Sequence, residues 1–415
     1  MPLLSEISLK NRKIAVIGLG YVGLPLAVEF GKRRQVFGFD VSETRIAELI
    51  AGNDRTLEVE PDELRAADHL FFSCEPSEIA DCSVFIVAVP TPIDKSKRPD
   101  LKLLMKACET VGKLLKVGDV VIFESTVYPG CTEEDCVPVL EKFSCLRFNK
   151  DFFCGYSPER INPGDKEHRL HSIVKVTSGS TPEIAKEIDN LYREIVTAGT
   201  HRAGSIRIAE AAKVIENTQR DLNIALMNEI FIFCKQKGLD FHQVMQLAGG
   251  KENFYPVTAG IVGGHCLPVD SYYLSSWAKP QSCKSVLEAA IAMNEMIKGE
   301  LLNEIIGIAE GIATRNVVLV GLSYKEGLAD MRNSGALWLA EELLARDFLV
   351  WGCDDFIEDV GLPLRRDFQE ILASTDNVVI FISHHVQKFD MNLISKSQHR
   401  VIDPKNVLGS SFRES

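Results

Sequence analysis

Cys266 stands in the run Gly263-Gly264-His265-Cys266-Leu267-Pro268-Val269-Asp270. A thiolate is a strong nucleophile toward an aldehyde carbon. Beside a nicotinamide cofactor it can hold an aldehyde covalently and let it be oxidised again to an acid. The glycine pair removes side-chain bulk, so a ligand can approach the backbone there. Asp270, four residues on, falls in the same loop or in the first turn of a helix. His265 is a weaker candidate for an activating base, because adjacent side chains often diverge. The plain alternative is a buried structural thiol, one of 11 cysteines in the chain.

Lys213 and Asn217 are four residues apart, so on a helix they share one face, and Asp221 extends it by a turn. Such a polar stripe is either a solvated surface or an electrostatic site for a developing oxyanion. Spacing alone leaves both open. Glu124-Ser125-Thr126-Val127-Tyr128-Pro129-Gly130 follows a predicted strand, and Ser157-Pro158-Glu159-Arg160 places a carboxylate in a loop. Both lie where strand ends face a cofactor crevice. Turn chemistry at Pro129-Gly130 and a surface ion pair at Glu159 are the simpler alternatives.

These residues need a scaffold, and the N-terminal segment supplies its signature. A short apolar strand, Lys13 to Ile17, runs into Gly18-Leu19-Gly20-Tyr21-Val22-Gly23, and a helix follows. Gly18 permits the tight turn, Gly20 lets backbone approach a pyrophosphate, and Gly23 lets helix and strand pack closely. Phosphate then meets unpaired amides at the helix N-terminus. Asp40 ends the second predicted strand, 22 residues beyond Gly18 (40 − 18). A carboxylate there bonds ribose hydroxyls and repels a 2′-phosphate, which favours NAD over NADP.

Further strands are predicted at Val84–Val89, Val120–Glu124 and Ile173–Thr177, with helices at Leu101–Leu115 and Pro182–Ile195 between them. This alternation predicts an α/β fold with a doubly wound parallel sheet. Ser205 to Lys237 contains no Gly or Pro and predicts one long helix. Another helix is predicted from Ser285 to Ala313. A second α/β pattern then begins, with strands at Asn316–Leu322, Phe348–Gly352, Asn377–Ile382 and Arg400–Asp403, and helices at Ser334–Ala345 and Phe368–Ser374. The expected organisation is two Rossmann-like domains joined by a long central helix. Their expected bounds are 1–200, 201–300 (with the Cys266 loop) and 301–415. The tail after Leu408 is polar and is expected to be disordered.

The net charge of −12 gives no support for a nucleic-acid partner. Met1 to Lys13 lacks the apolar region of a signal peptide, and no apolar run reaches the ~18 residues of a membrane span. Scattered cysteines without CxxC pairs argue against a disulfide framework or a metal site and for a reducing cytoplasm.

Taken in order, the motifs resemble those of the UDP-sugar 6-dehydrogenases, the family that includes UDP-glucose dehydrogenase. The resemblance rests on GLGYVG at 18–23, VAVPTPI at 87–93, ESTVYPG at 124–130, SPER at 157–160, EAAKVIEN at 210–217, GGHCLPVD at 263–270 and GLSYKEGLADMRNS at 321–334. It covers nearly the whole chain. It implies an N-terminal NAD domain, a long helix used in dimerisation, and a C-terminal UDP-sugar domain in a homodimer or larger oligomer. It further implies oxidation of the sugar's C6 alcohol to a carboxylate with two NAD.

On that resemblance Cys266 is the nucleophile and Lys213 and Asn217 stabilise oxyanions. Asp270 assists proton transfer, and Thr126 and Glu159 order water. NAD contacts fall on Gly18, Gly20, Tyr21, Val22, Gly23, Asp40, Arg45, Thr91, Thr126 and Arg332. Substrate contacts fall on Glu159, Arg160, Lys213, Asn217, Tyr255, Gly260 and Lys325.

Segments 157–168 and 200–229 resemble the bacterial branch acting on UDP-N-acetylglucosamine or UDP-N-acetylgalactosamine for surface polysaccharides. UDP-glucose and UDP-N-acetylmannosamine are the alternative substrates. That branch usually reads FRPGxVGGHC before the cysteine and VDPYYL after it. Here Thr258 replaces the arginine and Ser271 the proline. The arginine's contact to sugar or phosphate is therefore missing or supplied elsewhere.

Overall fold

The structure, a computed structural model, describes residues 7–161, 169–278, 285–374, 377–390, 394 and 400–409. The expected disorder after 409 and most of the 157–168 segment fall outside these residues. The chain divides into two compact units. The first comprises Met1–Glu216 with Tyr272–Ala278, and the second comprises Asn217–Ser271 with Lys279–Ser415.

The first unit is built on eight strands: β1 (Ile14–Ile17), β2 (Val36–Phe39), β3 (Leu70–Ser73), β4 (Val84–Val87), β5 (Val120–Phe123), β6 (Phe153–Tyr156), β7 (Lys175–Gly179) and β8 (Thr200–Arg202). Their spatial order is β3-β2-β1-β4-β5-β6-β7-β8. The helices between them are α1 (Gly23–Gly31), α2 (Glu43–Ile50), α3 (Pro61–Arg65), α4 (Lys102–Gly112), α5 (Val137–Ser144) and α6 (Pro182–Arg193). β1, β4, β5 and β6 are buried at every residue. Strands covered on both faces read as continuous apolar runs, which is why they alternate so little in sequence. Each fully buried Val or Ile contributes roughly 1.5–3 kcal/mol. Strand order reverses between β1 and β4, and ligand crevices form at the carboxyl ends of strands at such a point.

Several details depart from expectation, and β3, β6 and β8 are strands not foreseen. The pairing of β6 with β7 is antiparallel, so the sheet is not wholly parallel. β7 also starts at Lys175 rather than Ile173, because residues 169–172 close a turn through Ser172 N–H to the Arg169 carbonyl. Gly155 within β6 explains why that strand was not foreseen. A Cβ there would lie 2.2 Å from the Ile188 side chain, so the glycine admits α6 against the sheet at the cost of strand propensity.

α7 (Ile206–Gln236) runs 31 residues, across the division between the units. It stops at Gly238, whose φ of +67° closes the end, with Leu239 N–H returning to the Cys234 carbonyl. α8 (Phe241–Ala248), α9 (Leu267–Ala278) and α10 (Val286–Gly311) follow. Ser285 caps α10 by accepting from Glu288 N–H. The second sheet contains β9 (Asn316–Val320), β10 (Leu349–Cys353), β11 (Val379–Ile382) and β12 (Arg400–Ile402), with α11 (Gly335–Leu344) and α12 (Phe368–Ser374). Its order is β10-β9-β11-β12 and every pair is parallel.

The two sheets repeat one turn. Gly18 (φ +91°) donates to the Phe39 carbonyl at 2.8 Å, and Leu19 N–H donates to Asp40 Oδ2 at 2.9 Å. In the second unit Gly321 (φ +86°) donates to the Cys353 carbonyl at 2.8 Å, and Leu322 N–H to Asp354 Oδ2 at 2.8 Å. They differ in what lies above the turn. A Cβ on Gly20 would meet nothing within 4 Å, whereas Ser323 occupies the matching place and bonds His384 Nε2 at 3.0 Å.

Candidate active site

The open space over Gly20 bears on the cofactor. A Cβ there would meet nothing, so the position leaves room for a group that approaches from outside. Gly23 is different, since a Cβ there would sit 1.8 Å from the Gly18 carbonyl oxygen. α1 begins after Val22 with no side-chain cap and no acidic residue in its first turn, which leaves its amides to an anion. Asp40 is half-buried at the end of β2, and its oxygens accept from Leu19 and Ser42 N–H. The residues fit a dinucleotide with a free 2′-hydroxyl.

Arg45 lies beside the glycine turn. It is buried, its Nε donates to the Leu19 carbonyl at 2.9 Å, and its Nη2 reaches Asp54 at 2.7 Å. It braces the glycine turn from below. Gly23→Ala should open that turn. Overpacking costs about 1–3 kcal/mol, so we expect a lower melting temperature together with lost NAD binding by titration. Unchanged values of both would show that the turn has room.

Two loops beside the turn are stitched together. Ser125 Oγ donates to the Val89 carbonyl and Thr91 Oγ1 to the Thr126 carbonyl, each at 2.7 Å. Thr91 and Thr126 are thereby fixed at the ends of β4 and β5.

The polar stripe on α7 is not solvated. Lys213, Asn217 and Asp221 are 8%, 7% and 2% exposed. In the first unit Lys213 Nζ donates to the Glu159 carbonyl at 2.6 Å. The Glu159 side chain is buried rather than paired at the surface. Its Oε1 accepts the Arg160 and Ile161 N–H groups at 2.6 Å each, and its Oε2 accepts Lys175 Nζ at 3.2 Å. Burial raises its pKa, but Lys175, these two amides and Lys213 outweigh burial and hold it below the usual glutamate range. Arg160 reaches Glu216 at 2.5 Å.

In the second unit Asn217 Nδ2 donates to Asp270 Oδ2 at 2.5 Å, and Asp270 is 1% exposed. Cys266 caps α9, its carbonyl accepting Asp270 N–H at 2.8 Å. Here the structure departs from the expectation for His265. Its Nδ1 lies 2.9 Å from Cys266 Sγ, so the two neighbours converge.

The glycines before the thiol also serve another purpose than expected. A Cβ on Gly263 or Gly264 would strike Tyr324, at 2.9 and 2.7 Å. Asn333 Nδ2 bonds the Gly264 carbonyl at 2.8 Å, and Gly264 N–H bonds the Arg332 carbonyl at 3.1 Å. The thiol loop is thus laid directly on the 321–334 loop. Arg332 itself is exposed and grips Asp330, while Lys325 is half-buried in the same loop.

Ser271 has a partner that a proline could not have. Its Oγ donates to Asp221 Oδ2 at 2.6 Å. Asn294 Nδ2 donates to Asp221 Oδ1 at 2.7 Å, and Asn294 Oδ1 accepts from Asn228 at 3.0 Å. Asn228 then clamps Gly260 at both its N–H and its carbonyl. Lys405, which the sequence did not flag, lays its stem against Gly260, and burial lowers its pKa. Tyr255 is 66% exposed.

The ten described cysteines, Cys266 among them, are free thiols. Burial pushes Cys82 and Cys353 up to about 12. Among the described residues no helix is long and apolar enough to cross a membrane.

Three models of one family match the chain. They are the UDP-glucose/GDP-mannose dehydrogenase family's NAD binding domain at residues 12–196, its central domain at 207–296 and its UDP binding domain at 318–410. The chain is 50% identical to the UDP-N-acetyl-D-glucosamine 6-dehydrogenase of Pseudomonas aeruginosa, over 96% of this chain and 98% of that one. It is 46% identical to the enzyme of the same name from Salmonella typhi, over 95% and 96%. The structure of the UDP-D-ManNAc dehydrogenase of Pyrococcus horikoshii superposes with a TM-score of 0.86 at 30% identity, covering 96% of each chain. The chain belongs to the UDP-glucose/GDP-mannose dehydrogenase family and is an NAD-dependent UDP-sugar oxidoreductase.

Proposed function

We propose that this protein oxidises the C6 alcohol of a UDP-N-acetylhexosamine, UDP-GlcNAc or UDP-GalNAc, to the uronic acid through a covalent adduct on Cys266. The observation that carries this reading is the half-buried Cys266 thiol at the head of α9, 2.9 Å from His265 Nδ1. The names of the relatives at 50% and 46% identity support the choice of sugar. An ordinary two-electron dehydrogenase has no use for such a thiol.

NAD, when bound, accepts the hydride at each of two oxidations. The chain's own groups do the rest. Oxidation of the alcohol leaves an aldehyde. Cys266 Sγ adds to its carbon, the C=O π bond breaks and the S–H proton passes to the aldehyde oxygen, forming a thiohemiacetal. Its oxidation leaves a thioester, which water cleaves to carboxylate and free thiol. The balance is alcohol plus two NAD⁺ plus water giving carboxylate, two NADH and three protons. Lys213 and Asn217 offset negative charge on the reacting oxygen, and Asp270 moves protons. Glu159 and Thr126 order the water, Glu159 chiefly through the rigid turn its side chain clamps. Arg160, Tyr255, Gly260 and Lys325 contact the substrate.

α7 also carries Ile208, Ile215, Leu226 and Phe233, each at least half exposed. Their spacings of 7, 11 and 7 residues keep them on one helical face, which supports a homodimer through this helix. A nucleotide-linked uronic acid is a donor for acidic glycans, which supports a role in surface-polysaccharide synthesis.

The test is a panel of UDP-sugars with product identification. We expect fastest turnover on UDP-GlcNAc or UDP-GalNAc and two NADH per sugar. Fastest turnover on UDP-glucose or UDP-N-acetylmannosamine would overturn the assignment of the sugar. One NADH per sugar with an aldehyde product would overturn the four-electron chemistry.

A further inference from the structure

Behind Glu159 the first unit buries a set of charges that the proposed chemistry does not use. Lys175, on β7, is 2% exposed. Its Nζ donates to Glu124 Oε2 at 2.6 Å and to Glu159 Oε2 at 3.2 Å. Tyr192, on α6, donates its hydroxyl to the other oxygen of Glu124. Its ring also lies 5.6 Å from Lys175 Nζ. Both carboxylates are buried, Glu124 completely.

Burial is expensive for such a set, and it persists only where geometry repays it. Burial pushes Glu124 up to about 7 against the pull of Lys175. Burial would lower Lys175, but Glu124 and Glu159 outweigh it and hold the ammonium above the usual lysine range. Lys175 is held in place by both carboxylates. It holds one oxygen of Glu159, while the other oxygen gathers the Arg160 and Ile161 amides. Three bonds thus lock the turn at 159–161, and its carbonyl at Glu159 receives Lys213 Nζ.

We infer that Lys175 is a positioning residue for Lys213, acting through the Glu159 turn, with Glu124 and Tyr192 as its anchor. A lysine ammonium on a four-carbon stem is loose unless its partner is fixed. Here the partner is the backbone carbonyl of Glu159, whose orientation depends on the buried ion pair made by that residue's own side chain. The inference rests on the catalytic reading of Lys213.

A double-mutant cycle tests it, because a residue acting only through another adds nothing once that other is gone. Lys175→Met should lower kcat roughly 10- to 100-fold, the scale of a small misplacement of a reacting group. KM for the UDP-sugar should stay within about 2-fold, and NAD should still bind by titration. Lys213→Met should cost more, and the double variant should be no slower than Lys213→Met alone. A double variant slower by the product of the two single losses would overturn the positioning role and leave Lys213's catalytic role standing. Unchanged kcat in Lys175→Met would overturn it too. Wild-type kcat in Lys213→Met would overturn the catalytic reading itself, and this inference with it. If Lys175→Met fails to bind NAD, Glu124→Gln takes its place in the same cycle. It weakens the anchor at constant volume, and the same non-additivity is expected.

Discussion

Cys266→Ala is expected to abolish acid formation, by at least about 1000-fold, while leaving NAD and UDP-sugar binding near wild type. Losing a covalent nucleophile removes the step it carries rather than weakening it, and such losses reach several orders of magnitude. The first oxidation does not need sulfur, so the variant should release at most one NADH per sugar, with aldehyde or its hydrate as product. Mass spectrometry of the product together with NADH stoichiometry reads both. The exposed Cys145 is the control. Cys145→Ala should leave the rate unchanged, separating a specific effect from general thiol loss. Wild-type uronate production by Cys266→Ala would refute the nucleophile role.

The sequence made the glycine turn legible because its demands are local. Gly18 needs positive φ, Gly23 needs to avoid a carbonyl 1.8 Å away, and both demands act within a few residues. The long helix was legible for the same reason, since nothing between Ser205 and Lys237 interrupts it. Burial of the α7 stripe was not legible. Lys213 and Asp221 look alike on a solvated and on a buried face, and what decides is a partner from far along the chain. Glu159 is 54 residues from Lys213, and Ser271 is 50 from Asp221. Lys175 escaped notice altogether, because a single lysine in an apolar strand has no local signature of an ion pair. The glycines at 263 and 264 carried a signal that was read one way and proved to have another cause. They mark close approach, but what approaches is Tyr324. A glycine reports that something is near without saying whether it is ligand or protein.

Asp270→Asn isolates the proton-transfer step that Cys266 cannot perform. The carboxylate is 1% exposed, sits in the first turn of α9 and accepts the Asn217 amide at 2.5 Å. Replacing it with an amide keeps volume and helix but removes the only form that can take a proton. General acid–base groups typically contribute 10²- to 10⁴-fold, so a fall in kcat of about that size is expected. Asn217→Ala should act more gently, because it leaves the carboxylate in place and removes only the donor that aims it. An Asp270→Asn enzyme that keeps its rate would assign proton transfer elsewhere. His265, already within 2.9 Å of the thiol, is the group to which it would then pass.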